Sequence, residues 1–67
     1  MTAIMSTKEA DKLIATATDT VFINGDTNEW CQGFMVHRSD IMVFVHDKEL
    51  DQTFAIPRIS IHEWHPL

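Results

Sequence analysis

Four histidines, at positions 37, 46, 62 and 65, are the first side chains to weigh for chemistry in this chain. His62-Glu63-Trp64-His65 comes near the His-Glu-x-x-His pattern by which one helix presents two imidazoles to a zinc ion, but that pattern needs its rings at i and i+4. Here they stand at i and i+3 in a β-rich run, where an odd spacing sends side chains to opposite faces. Surface or interface histidines are expected, with no metal and no cofactor. Cys31 is the single cysteine, so no internal disulfide can form. In a core strand its thiol serves as a small hydrophobe rather than a nucleophile. Asp47, Glu49 and Asp51 share one charged loop, and a chain of 67 residues is too short to wall a catalytic cleft around them. No enzymatic activity is expected. Trp30 and Trp64 can each pack in a core or interface, or stack on a nucleic-acid base, and both readings stay open.

The elements that must hold these residues have little material to work with. Hydrophobic residues make up 45% and charged residues 22%, an ordinary composition for one small folded domain, residues 1–67. No apolar run reaches the roughly 18 residues of a membrane span, and Met1 to Thr7 lacks the pattern of a signal peptide, so a cytoplasmic protein is expected. Five basic residues against ten acidic ones leave a formal charge of -5, a field that repels phosphate and counts against indiscriminate nucleic-acid binding. So short a chain buries only about 60% of its unfolded surface, and without a disulfide its usual remedy is to oligomerise.

Ser6-Thr7-Lys8-Glu9 is a capping box and predicts a helix over 6–17, after a flexible stretch at 1–5. Ala10, Leu13, Ile14 and Ala17 form its apolar stripe, with Lys8, Asp11 and Lys12 turned to water. From Thr20 the period becomes two, predicting strands over 20–24, 29–38, 41–46, 53–56 and 59–64. Asn24-Gly25-Asp26 suits a hairpin through positive φ, Gly33 permits a bend or bulge, Ser39-Asp40 turns the chain, and Pro57 stops the fourth strand. The expected fold is mainly β: a strongly bent five-stranded antiparallel small barrel over 20–65, with the helix across an open end. Its two unpaired edges would be satisfied if each copy paired with the next around a closed ring.

The order of these pieces resembles the Sm-like family, and within it the bacterial Hfq branch, from about Ser6 to Pro66. The resemblance is carried by the helix, Asn24-Gly25, Gln32-Gly33 in the bent second strand, Asp40-Ile41-Met42-Val43-Phe44-Val45, and Ile59-Ser60 before Pro66. It implies a homo-oligomeric ring of roughly five to seven copies joined by edge strands. It also implies a non-enzymatic role as an RNA-binding scaffold or RNA chaperone that works through pore-side loops. Departures accompany the matches. Gly33 and Asp40 are one residue further apart than is usual, and Phe44 and Met42 stand where a base-reading asparagine and a stacking ring would fall. Ala55-Ile56 replaces Arg-Gly, Ile56-Pro57 replaces Lys-His, Val21 replaces the purine-stacking tyrosine, and residues 15–18 lack the arginines of the rim.

The remaining RNA candidates are His37, Arg38, Met42, Lys48, Pro57 and Arg58. Met42 and Pro57 match the family's pore loops, and Arg38 and Arg58 flank them with charges suited to phosphate; alternatively Arg58 answers one of the chain's own carboxylates. The alternative function is a ring that has lost base recognition and serves as a protein-interaction or assembly module. A small barrel unrelated to Sm proteins, monomeric in solution, is the third reading.

Overall fold

The computed structural model describes residues 4–25 and 27–67; the expected turn at Asp26 and most of the flexible stretch at 1–5 lie outside the described residues. Ser6 caps helix α1 (Thr7–Thr16), its hydroxyl accepting from the Glu9 amide at 3.1 Å. The helix ends where Ala17 turns left-handed at φ 49° and gives its amide to the Ile14 carbonyl. That turn rotates Ala17 out of the expected apolar stripe and exposes it, so Ala10 and Leu13 are the buried helix residues and Ile14 packs at the margin. Thr16 closes the last turn by bonding back to the Lys12 and Leu13 carbonyls, which competes with further helix.

Five strands follow: β1 (Asp19–Asn24), β2 (Glu29–Arg38), β3 (Met42–Asp47), β4 (Gln52–Pro57) and β5 (Ile61–Pro66). They form one antiparallel sheet in the order β4-β3-β2-β1-β5. The first four lie within a residue of their expected ends. The fifth begins two residues late, because Pro57 is followed by a 3-10 turn, Arg58–Ser60, closed by the Ile61 amide on the Arg58 carbonyl. Such a turn lets the chain leave one sheet edge and start the other.

Alternation sets the inner face: Thr20 and Phe22, Gly33 and Met35, and Val43 and Val45 are buried, while their strand neighbours are not. Ile56 of β4 and Ile61 of β5 enter the same cluster as Phe22 and the helix residues Ala10 and Leu13. The outermost strands therefore both curl onto one core, beneath α1. Met5 seals it, fully buried, with its amide donating to the Ile61 carbonyl at 3.0 Å. Among the described residues no helix is long and apolar enough to cross a membrane.

Both glycines work by close approach. A Cβ on Gly33 would lie 2.6 Å from the His46 carbonyl oxygen and 2.6 Å from Val45 Cγ1. The bulge itself falls further along β2, between Met35 and His37, and leaves Val36 exposed. Gly25 does not adopt the positive φ expected of it; Asn28, at φ 56°, does so for that hairpin. Gly25 instead donates to the Ser60 carbonyl at 2.8 Å, and a Cβ there would stand 2.6 Å from that oxygen.

Gly33→Ala forces β2 and β3 apart against main-chain atoms. The expected result is a loss of about 1–3 kcal/mol in urea unfolding, the range of an overpacked core. An unchanged midpoint would mean that the two strands can separate freely.

Candidate functional site

Two turns and a strand end assemble one end of the sheet. Arg38 pairs with Val43, His37 with Phe44 and Met42 with Pro57. Ser39 tightens the β2–β3 turn, its amide donating to the Met42 carbonyl at 2.9 Å and its hydroxyl accepting from the Met42 amide at 3.1 Å. The Arg58 amide donates to the Ile41 carbonyl at 2.8 Å, so the 3-10 turn docks beside the β2–β3 turn. His37, Arg38, Met42, Pro57 and Arg58 are thus brought together. Lys48 is not: it follows the far end of β3, with its ammonium 4.6 Å from the centroid of the Phe34 ring.

The two arginines are engaged within the chain. Arg38 grips Asp11 through Nε to Oδ1 and through Nη2 to Oδ2 at 3.0 Å. Asp11 was expected to face only water, but the packing of α1 on β2 carries it to the end of that strand. The hydrogen bond and charge of Arg38 hold the Asp11 carboxyl below its ordinary value, and Asp11 raises Arg38 in return. Arg58 does not answer a carboxylate as the alternative expectation had it: none of the described carboxylates forms an ion pair with it. Its Nη1 donates to the Met5 carbonyl at 2.6 Å, and its Nε is enclosed without a hydrogen-bond partner. Met5, whose amide donates to the Ile61 carbonyl on β5, lies beside it. His37 leans on Phe44 with ring centroids 5.5 Å apart.

Elsewhere the titratable side chains serve structure. Asp47 Oδ1 accepts from the Glu49 and Leu50 amides at 2.9 and 3.2 Å, fixing the β3–β4 turn. His46 bridges that hairpin to Thr53 at 3.1 Å. His65 bonds Glu63 at 3.0 Å and stacks on Trp30, their centroids 6.0 Å apart. No group of three metal-ligating side chains occurs among the described residues. Burial pushes the Cys31 thiol up, with Glu29 and Asp47 adding to the effect, which disfavours the nucleophilic thiolate. Trp64 packs against the core, whereas Trp30 stays 54% exposed on the outer face.

What the sheet leaves open is backbone and apolar surface. Strands β4 and β5 are the two sheet edges, and Gln52 to Ala55 are exposed along β4. A cleft of about 290 Å³ beside this edge has an apolar floor that includes Phe22, Val45, Phe54 and Ile56 and a polar side that includes Glu29 and Gln32. Residue type alone does not single out Ile41 and Ile59, which are 70% and 62% exposed. Their one signal is position, each next to a turn residue where a β-branched side chain has no neighbouring strand to cover it.

The Asp11–Arg38 pair gives a signed pH dependence. Because the Asp11 value is lowered, its contribution to stability is complete above the ordinary 3.8 and is lost as pH falls through the depressed value. Asp11→Asn should flatten the acid limb of a thermal-melting profile at low salt, with less effect at high salt since the pair faces solvent. Identical acid limbs in both proteins would show that the clamp contributes nothing. No protein-family model matches this chain and no curated protein matches it, so fold and site geometry are what bear on its function.

Proposed function

We propose that this chain is a self-assembling Sm-like module whose copies join edge to edge into a ring, and that the ring serves as an assembly or protein-interaction scaffold. The observation that carries this is the strand order. It leaves β4 and β5 as open edges of one curled sheet, with a three-residue turn between them and a cleft with an apolar floor alongside β4. An edge strand exposes amides and carbonyls that another strand completes, and β4 of one copy beside β5 of the next continues the ladder without an end. Among the described residues the buried apolar core is nine side chains, modest for a chain without cross-links, and apolar packing between copies would enlarge it.

RNA binding through the pore-side loops is the second reading, favoured by the convergence of His37, Arg38, Met42, Pro57 and Arg58 at one end. Against it, Arg38 is held by Asp11, and assembly multiplies a charge of -5 per copy.

Native mass spectrometry with hydrogen exchange tests the assembly. The expected masses are multiples of 7.7 kDa, with slowed exchange at residues 52–57 and 61–66 as concentration rises. A single 7.7 kDa species at every concentration overturns it. Filter binding with uridine-rich and adenine-rich RNA should show no retention at low salt by the wild type. Retention that Asp11→Asn strengthens and Arg58→Ala abolishes would favour the RNA reading instead.

A further inference from the structure

We propose that the two ends of the sheet are complementary, so that the β3–β4 turn of one copy docks on the Arg58 end of a second copy and stacks them head to tail. This docking runs along the strand direction, whereas the proposed ring pairs strand edges sideways. It therefore goes beyond that reading and does not rest on it.

The receiving end carries three exposed isoleucines close in the chain or by hydrogen bonding to Arg58, with the exposed Asp40 carboxylate beside Ile41 acting on Arg38. Ile41, Ile59 and Ile4 are 70%, 62% and 47% exposed. Hydrogen bonds and chain order place them near Arg58: its amide donates to the Ile41 carbonyl, its side-chain Nη1 donates to the carbonyl of Met5 next to Ile4, and Ile59 follows it directly. The chain has ten acidic residues, yet no described carboxylate pairs with Arg58, whose Nη1 meets the neutral Met5 carbonyl instead. A half-buried cation amid aliphatic surface is best completed by a carboxylate that arrives beside an apolar side chain.

The same chain carries that combination at its opposite end. Leu50, 61% exposed, sits between the exposed carboxylates of Glu49 and Asp51. The Asp47 side chain pins the turn by accepting from the Glu49 and Leu50 amides, so little ordering entropy is lost when it docks. Leu50 would enter among the isoleucines while Glu49 approaches Arg58. RNA fits this end less well, since its phosphates would meet three aliphatic side chains and the Asp40 carboxylate. An interface between two different surfaces closes only where the rotation between copies brings the chain of contacts round; stacked along the strand direction the copies translate instead, so growth along this axis is open-ended.

Sedimentation velocity and electron microscopy over a concentration series test the proposal with three variants. One is a turn variant carrying Leu50→Ser and Glu49→Gln, and the others are the receiving-end variants Arg58→Gln and Ile41→Ser. Circular dichroism checks their folding, and Ile41→Ser, at an exposed site, keeps the test open if Arg58→Gln unfolds. The wild type should lengthen with concentration after nuclease treatment. Arg58→Gln and Ile41→Ser should each weaken end-to-end association about tenfold, the scale of removing one charged hydrogen bond or uncovering one apolar side chain, and the turn variant, which removes both, about a hundredfold. Mixing the turn variant with a receiving-end variant should restore one junction per pair and no further growth, because only one intact turn then meets one intact receiving end. Wild-type growth that is absent or removed by nuclease overturns the proposal, as does growth that persists unchanged in the turn variant. Ring mass in the same native spectra reports separately on edge pairing, so either association can fail without the other.

Discussion

A curled antiparallel sheet that stops at five strands leaves a row of main-chain amides and carbonyls along each outer strand, and this is the constraint on which the rest of the molecule turns. Water can satisfy those groups, so an open edge is tolerable, but it is also a template for another strand. The 3-10 turn Arg58–Ser60 follows β4 directly and delivers the chain to β5 on the opposite edge. Core and edges are thereby coupled, since Ile56 and Ile61, one on each outer strand, pack into the same cluster. A partner strand on either edge would stiffen the side chains that hold the centre.

Charge placement follows a similar economy. The basic groups are few, and the structure uses most of them internally: Arg38 ties β2 to α1, Arg58 ties the 3-10 turn to the N-terminal segment, and Lys48 covers the Phe34 ring. A guanidinium that already holds a carboxylate offers less to an incoming phosphate, which must first displace the existing partner. What remains at the surface is mainly acidic and aliphatic, with Lys8 and Lys12 on α1 as exposed basic groups beside it.

Much of the fold could be read from residue order. The Ser6 capping box, the change from a helical period to a period of two at Thr20, and Pro57 as a stop all place elements within a residue or two of where they occur, because each depends on local chemistry. The details that differ arise where segments distant in the chain meet. Gly25 has the composition of a turn residue and is needed for the approach of Ser60; Asp11 has the spacing of a solvated residue and lies against Arg38. Of the six candidate RNA residues, five do meet at one end, since they border turns on adjacent strands. Lys48 does not, because β3 runs the length of the sheet between it and Met42.

By itself the sequence determined the alternation that makes one face of each strand apolar, the helix start, the turn sites and the shortage of basic charge. Those properties live in single residues or in neighbours a few positions apart. Only the tertiary structure decided which arginine is neutralised, which isoleucines stay uncovered and which strands become edges. Each of these depends on where segments separated by tens of residues come to lie when the sheet curls around Phe22, and no local pattern encodes that distance.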